Sequence, residues 1–238
     1  MDRHRRALSP GQPAARAATV AIPVAFLAVF FAWPLVAILR RSLVVDGALD
    51  VPWDVLTAES TREIAWFTLW QATVSTILTL LAGLPLAWAL SRFSFPGRGL
   101  VEALVLVPFV LPTVVVATAF VALLPDGMEH SVWAILLAHV FFNVAVVVRI
   151  VGSYWAALDR RLWDAAATLG AGPGQRQLRL TLPLLAPALA SAASIAFLFC
   201  FTSFGVILVL GGIHYATLET EIYNQAAVRR SNSRAAWL

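Results

Sequence analysis

Five long apolar stretches run along the chain, and short polar segments that hold most of the charged residues separate them. Each stretch is about as long as the ~20 residues that a helix needs to cross the hydrocarbon core of a bilayer. The pattern therefore predicts an all-α integral membrane protein. The predicted spans cover about residues 17–39, 64–90, 100–124, 132–150 and 184–210.

The first stretch, Ala17 to Leu39, has two interpretations. A cleaved secretory signal would also begin with a basic segment and an apolar run. This run is longer than the apolar core of a typical signal, and no small-x-small cleavage site follows it before Arg40 and Arg41. A first transmembrane helix is therefore favoured, with residues 1–16 as a cytoplasmic N-terminal tail.

Composition supports a membrane protein and excludes several classes of function. The chain is 60% hydrophobic and only 13% charged, unlike an ordinary soluble domain. All 17 basic residues are arginine, so a Walker A lysine is absent and any ATP chemistry must come from a partner. With the N-terminus inside, eleven arginines lie on the inner side and six outside, which fits the positive-inside rule better than nucleic-acid binding.

Prolines and polar residues interrupt three of the spans. Gly83-Leu84-Pro85 predicts a break in the second span, and Pro108 and Pro112 predict a kink or a break in the third. In the fourth span, His139 and Asn143 are one helical turn apart and therefore share a face. These two residues either bond another helix or meet substrate, and helix bonding is the favoured interpretation.

The polar loop at residues 151–183 has a helical pattern of its own. Asp159 can cap a short helix that runs through Leu169, because its carboxylate can accept the unpaired first-turn amides. Gly170 suits the left-handed position that ends such a helix. A short helix held between two spans is suited to binding something outside the membrane.

The spacing in this loop resembles that of the cytoplasmic EAA loop of ABC importer permeases. In that family, Glu-Ala-Ala is followed by three residues, Gly, nine residues and aliphatic-x-Leu-Pro. This chain has Asp164-Ala165-Ala166, three residues, Gly170, nine residues and then Leu180-Thr181-Leu182-Pro183. Asp replaces the usual Glu, and Leu replaces the usual Ile. The resemblance implies an ATPase-coupling loop whose residues are Asp159, Asp164, Ala165, Ala166, Gly170, Leu182 and Pro183.

Other segments resemble the amino-terminal half of thiamine importer permeases, to which iron(III) permeases are closely similar. They are Ser91 to Arg98, Ile135 to Asn143 and Phe199 to Gly212. The resemblance implies thiamine as the favoured substrate and iron(III) as the next. It also implies a type I core of about six helices per half. We therefore expect a fragment or a prematurely ended product, with residues 211–238 as an external tail that leads toward an absent sixth span.

The same resemblance implies the partners and the location. It implies a multi-pass protein of the bacterial cytoplasmic (inner) membrane that works with a dimer of ABC ATPase subunits, which bind the ATP. A periplasmic or lipid-anchored substrate-binding protein and a second permease half, fused or separate, are also implied. We expect no catalytic residue, cofactor or metal site in this chain, and no nucleic-acid partner.

Polar and aromatic residues of the fourth and fifth spans are candidates for the substrate path. Intramembrane hydroxyl and amide groups usually face the interior of a bundle. Thiamine is a cation with aromatic rings, so phenylalanines could add cation–π contacts, although Phe also faces lipid in many proteins. The candidates are Asn143, Thr202, Ser203, Phe199, Phe201 and Phe204.

Two other classes of protein fit the sequence less well. A membrane-embedded hydrolase would need metal ligands or a nucleophile elbow, but no two of the four histidines are spaced i, i+4 and Gly-x-Ser-x-Gly does not occur. An ion-coupled secondary transporter or channel would more often carry carboxylates at mid-membrane, whereas the span interiors hold only Glu102, near a span end. Both alternatives leave the spacing from Asp164 to Pro183 unexplained.

Overall fold

The computed structural model of the protein describes residues 12–45, 48–49, 53–212 and 214–235. The chain divides into two units, Met1–Ala58 and Glu59–Leu238. Of the predicted cytoplasmic tail, residues 1–11 lie outside the described residues. Among the described residues, four helical stretches are long and apolar enough to cross a membrane, and a bent helix pair brings the number to five. The predicted all-α membrane fold is confirmed.

The first unit is a long helical stretch followed by short elements. Helix α1 (Gln12–Leu27) continues through a π-helical segment (Ala28–Ala32) into helix α2 (Trp33–Leu43), and residues Thr19–Arg40 form the apolar stretch predicted as the first span. Strands β1 (Val44–Val45) and β2 (Ala48–Leu49) pair antiparallel, with Val44 opposite Leu49. Helix α3 covers Trp53–Thr57.

All the regular elements in the described residues of the second unit are helices. A π-helical segment (Gln177–Thr181) joins two of its helices, so that the helical backbone runs from Pro173 to Phe201. The helices are α4 (Glu59–Arg92), α5 (Arg98–Val110), α6 (Thr113–Leu123), α7 (Val132–Ala156), α8 (Arg160–Thr168), α9 (Pro173–Arg176), α10 (Leu182–Phe201), α11 (Phe204–Leu210) and α12 (Leu218–Ala235).

The centre of this unit is the packing of α4 against α7, with α10 lying against both. Small residues such as Ala87 and Ala192 are fully buried there, beside Val147 and Val151. Small side chains allow helix backbones to approach closely, which is the usual basis of helix association in membranes. The three helices therefore pack closely together, and helix α8 lies in the loop that joins α7 to α10 at one end of them.

Two spans are broken, and one predicted break is absent. At Leu111-Pro112 the third span bends by 105° between α5 and α6, because proline removes a backbone donor and favours an extended Leu111. The predicted break at Gly83–Pro85 is wrong: α4 continues to Arg92, and Gly83 packs closely on α7.

The fifth span, predicted as one helix over 184–210, is also interrupted. Helix α10 ends at Phe201, and α11 begins at Phe204. The Thr202 hydroxyl donates to the carbonyl oxygen of Leu198 at 2.9 Å, and Ser203 is extended. The Thr202 hydroxyl therefore bonds the last turn of α10, where the helical ladder stops, although Thr76 and Thr79 make the same kind of bond within the unbroken α4.

Much of the segment predicted as an external tail is helical and packed. Helix α12 lies within residues 211–238, of which residues 213 and 236–238 are outside the described residues. The backbone amide of Leu218 donates to the Thr68 hydroxyl of α4 at 3.2 Å. The rings of Tyr223 and Phe204 are 5.2 Å apart. The first turns of α12 therefore contact α4 and α11.

Candidate coupling loop and membrane cavity

Helix α8 begins and ends where the sequence predicts. The Asp159 carboxylate accepts a hydrogen bond from the Arg161 backbone amide at 2.9 Å, which is the predicted N-cap. Gly170 has φ +82°, in the left-handed region, and the Ala171 amide donates to the Ala166 carbonyl at 3.0 Å. Both ends of this short helix are therefore fixed by local hydrogen bonds.

The outer face of α8 is accessible and mostly small. Asp164 and Ala165 are exposed, and Ala166 is half-buried. Leu169, which follows the helix, is 88% exposed, an unusual position for a large apolar side chain next to a charged loop. A carboxylate, a small-residue surface and one projecting leucine together form a surface suited to a protein partner.

The inner face of α8 is tied to the bundle through Trp163. The guanidinium groups of Arg92 and Arg176 lie 5.4 Å and 5.3 Å from the centre of the Trp163 ring, within cation–π range. Arg92 ends α4 and Arg176 ends α9, so the ring joins α8 to both helices. The Arg176 Nη1 atom also donates to the Trp163 carbonyl at 3.5 Å. Trp163 therefore links α8 to the end of α4 by direct contact.

The remaining predicted coupling residues, Leu182 and Pro183, lie at the start of α10 and are exposed. Leu182 and Asp164 line the same cavity beneath α8, so the structure brings these two together. Neither Pro183 nor Asp159 belongs to that lining. Their positions instead mark the ends of the elements that flank the loop.

A second cavity, of about 440 Å³, lies where the two broken spans meet, and we call it the membrane cavity. Of the predicted path residues, five line it: Asn143, Phe199, Thr202, Ser203 and Phe204. Phe201 does not: its ring stacks on Phe197 at 5.7 Å. The full lining is Phe109, Leu111, Thr113, Val114, His139, Phe142, Asn143, Phe199, Thr202, Ser203, Phe204, Gly205 and Val206.

His139 and Asn143 each bond a neighbouring helix, as the sequence favoured, and both also line the membrane cavity. The Nδ1 atom of His139 lies 3.1 Å from the Ser75 hydroxyl of α4. Asn143 Nδ2 donates to the His139 carbonyl at 3.0 Å and to Cys200 Sγ of α10 at 3.4 Å. His139 Nε2 is buried and has no partner among the described residues.

The wall between α6 and α11 depends on a glycine. A Cβ atom on Gly205 would overlap the Thr113 hydroxyl and lie 3.2 Å from the Thr113 Cβ atom. Only a residue without a side chain allows this approach of the two helices. Gly205 therefore helps set the shape of the membrane cavity.

The model of a protein family described as "Binding-protein-dependent transport system inner membrane component" matches residues 79–231, which include α8 and every residue that lines the membrane cavity. The chain belongs to this family of permease components. Its match begins within α4 and extends into α12. The family accounts for the several apolar spans, and this permease is a multi-pass inner-membrane protein.

Relatives of this permease serve different transport systems. The thiamine transport system permease protein ThiP of Brucella abortus is 34% identical over 178 residues, 67% of this chain and 33% of that protein. The sulfate transport system permease protein CysT of Escherichia coli is 32% identical over 184 residues, 71% of this chain and 66% of that protein. The permease spans about a third of the length of the Brucella proteins it matches.

Other comparisons cover more of the chain. The molybdate/tungstate transport system permease protein WtpB of Thermococcus kodakarensis is 30% identical over 211 residues, 87% of this chain and 83% of that protein. A chain of the bacterial ABC transporter involved in the import of alginate matches with a TM-score of 0.67 at 17% identity, over 82% of this chain and 77% of that chain. That similarity supports the fold of the permease.

Sequence reasoning missed several residues of the membrane cavity. Phe109, Thr113 and Gly205 lie in or beside the two helix breaks, on segments far apart in the chain. For Phe109 and Thr113 the available signal is Pro112, because a proline within a span predicts the break beside which both residues lie. No local feature of the sequence indicates that this break and the break at Ser203 line the same cavity.

Proposed function

We propose that this permease is the membrane subunit of an ATP-driven ABC importer, and that α8 is where a separate ATPase subunit docks. The observation that carries the proposal is the form of α8: a helix capped by Asp159, ended by Gly170 and exposed at Asp164 and Ala165. The spacing of these residues matches the EAA loop, and relatives in the family are named as permeases of transport systems. The N-terminus would then be cytoplasmic.

The contacts of α8 provide a route from the docking surface to the membrane cavity. Movement of α8 acts on α4 through the ring of Trp163, and on α10 through the helical backbone that starts at Pro173. That backbone ends at Phe201, next to the break that lines the cavity. Closure of an ATPase dimer would therefore bias the cavity between two arrangements, which is what energetic coupling requires.

Disulfide cross-linking tests the docking. Cys200 is the single cysteine of the chain and is buried, so Cys200→Ala gives a background without thiols. In that background, Ala165→Cys should cross-link to a cysteine placed in the cleft of the co-purified ATPase. Ser191→Cys, exposed on α10 away from the loop, is the matched control. Equal cross-linking of both variants, or none at Ala165, would refute docking at α8.

Thiamine is the substrate we propose, with iron(III) second. Thiamine is the substrate named for the Brucella relatives, while other relatives are named for sulfate and for molybdate or tungstate. The described lining of the membrane cavity holds four phenylalanines, an amide, hydroxyls and a histidine, and no arginine or carboxylate. Such a lining favours an organic cation with aromatic rings over an oxyanion, which is usually bound by arginine or backbone amides.

Uptake into membrane vesicles tests both the energy source and the substrate. We expect ATP-dependent uptake of labelled thiamine when the ATPase subunit, a substrate-binding protein and the second permease half are present. Sulfate, molybdate and iron(III) are the comparison substrates. Uptake that stops with an uncoupler while ATP is maintained would favour an ion-coupled transporter instead. ATP-dependent uptake of only one of the other substrates would support the proposal of an ATP-driven importer and reject thiamine as its substrate.

A further inference from the structure

A cavity of about 810 Å³ lies under α8, where α4 and α7 end and α10 begins, and we call it the loop cavity. Its volume is within the range of roughly 300–1,000 Å³ that is common for small-molecule sites. It is distinct from the membrane cavity, with which it shares no lining residue. Asp164 belongs both to the docking surface and to the lining of the loop cavity, whereas Ala165, Ala166 and Leu169 do not line it.

The charge of the loop cavity is predominantly positive. Arg92, Arg160 and Arg176 line it, and Asp164 is the one acidic residue in the described lining. Arginine guanidinium groups bind phosphate through paired N–H donors and remain charged at any physiological pH. The cavity therefore favours an anion, and a phosphate group in particular.

Three buried donors around the loop cavity lack acceptors. Trp155 is only 6% exposed, and its Nε1–H has no partner among the described residues. The same holds for Trp163 Nε1 and Arg176 Nε. A buried donor without an acceptor is destabilising, so such groups in a native structure call for a bound molecule or water. The three residues belong to α7, α8 and α9 and all line the loop cavity, so polar groups of three helices lie around one cavity.

The rest of the loop cavity is apolar and lies on the bundle side. Leu84, Leu185 and Leu189 line it, and the ring of Trp88 lies beside that of Phe93. Tryptophan is enriched at the level of the lipid headgroups, and basic pockets between membrane helices are known to hold phospholipid headgroups. Arginines at one end and leucines at the other fit a molecule with an anionic head and an apolar tail.

We infer that the loop cavity binds an anionic phospholipid of the surrounding bilayer. Its phosphate accepts hydrogen bonds from the guanidinium groups of Arg92 and Arg176, and an acyl chain lies along the leucines. Trp163 belongs both to this lining and to α8. A bound lipid therefore holds α8 against the end of α4. This inference does not depend on the proposed import activity.

Native mass spectrometry of the purified full-length chain tests the inference. The chain is stripped of lipid in detergent, offered phosphatidylglycerol or phosphatidylcholine, and the retained lipid is counted. We expect at least fivefold more phosphatidylglycerol than phosphatidylcholine, and the double variant Arg92→Gln/Arg176→Gln should abolish the difference. Arg98→Gln is the matched control, because Arg98 pairs with Glu102 at 2.8 Å outside the cavity. Equal retention of the two lipids by the wild-type chain would overturn the inference.

Two further measurements are needed. One distinguishes loss of binding from misfolding, and the other distinguishes a lipid site from a site for soluble phosphates. Leu189→Phe fills the apolar part and leaves the arginines in place, so it should lower phosphatidylglycerol retention at an unchanged melting temperature. Unchanged retention in this variant would contradict a site for an acyl chain. Glycerol 3-phosphate should fail to displace the lipid. Displacement at equal concentration would make the site one for soluble phosphates and reject the lipid.

Discussion

Gly83 of α4 faces Val147 of α7 so closely that a Cβ atom on Gly83 would lie 2.7 Å from the Val147 Cβ atom. Gly83→Ala therefore forces the two central helices apart and should cost about 1–3 kcal/mol by overpacking. Gly152→Ala is the matched control, because a Cβ there finds its nearest neighbour at 3.7 Å. The melting temperature in detergent should fall for the first variant only.

The end of α8 depends on the left-handed conformation of Gly170. Gly170→Val places a β-branched residue at φ +82°, which costs about 1–3 kcal/mol and should displace the helix end. We expect weaker co-purification of the ATPase subunit with unchanged insertion into the membrane. Gly172→Val is the control, since Gly172 has φ −67° and space around it. Equal co-purification of both variants would argue against a role of α8 in docking.

Two phenylalanines of α10 should differ in their effect on transport. Phe199 lines the membrane cavity and its ring is 5.7 Å from that of Phe109, whereas Phe201 stacks on Phe197 outside the lining. Phe199→Leu removes a ring worth about 0.5–2 kcal/mol to a bound organic cation. The half-saturation concentration for uptake should therefore rise several-fold for Phe199→Leu and stay unchanged for Phe201→Leu. A larger effect at Phe201 would reject this cavity as the path.

The stacking of Arg92 and Arg176 on Trp163 should protect the loop from proteolysis. Trp163→Ala removes two cation–π contacts of about 0.5–1 kcal/mol each, so α8 should open more often. Limited trypsin digestion should then cut faster after Arg160 and Arg161. The Trp163→Tyr variant keeps an aromatic face, so trypsin should cut it at close to the wild-type rate. Equal rates for alanine and wild type would show that the stack does not hold the loop.

The start of α12 carries a group that links stability to pH. Burial raises the pKa of Glu219 above its ordinary value of 4.5, and the hydrogen bond to Thr217 offsets part of that rise. A raised carboxyl pKa means that folding favours the protonated form, so stability should fall as pH rises from about 4.5 through the raised pKa. Glu219→Gln should match the wild-type melting temperature at low pH and lose less of it on going to neutral pH. Parallel curves of melting temperature against pH for the two proteins would contradict the assignment of this pH dependence to Glu219.

Hydropathy predicted the spans well because crossing lipid is a matter of composition and length. The ends of α8 were also predictable, since Asp159 and Gly170 act through local hydrogen bonds and a local backbone angle. The break at Thr202 was missed because hydroxyl residues are common within intact spans, and the break at Pro85 was predicted wrongly because packing on α7 holds α4 straight.

The candidate path could be predicted only in part. Polarity within an apolar run pointed to Asn143, Thr202 and Ser203, and all three line the membrane cavity. Phenylalanine has no such signal, because it packs on lipid, on other helices and on substrates alike. Which of Phe199 and Phe201 reaches the cavity depends on where α10 ends and on its rotation, and a single sequence does not contain that information.

The π-helical segment at Gln177–Thr181 has a consequence for how the loop and the membrane cavity are linked. The helical backbone from Pro173 to Phe201 contains 29 residues, or about 43 Å at 1.5 Å per residue. A π turn holds one residue more than an α turn, so converting it to α geometry would rotate α10 by about 100° relative to α9. Such a conversion would therefore turn Phe199, near the far end of the same helical backbone, relative to the loop.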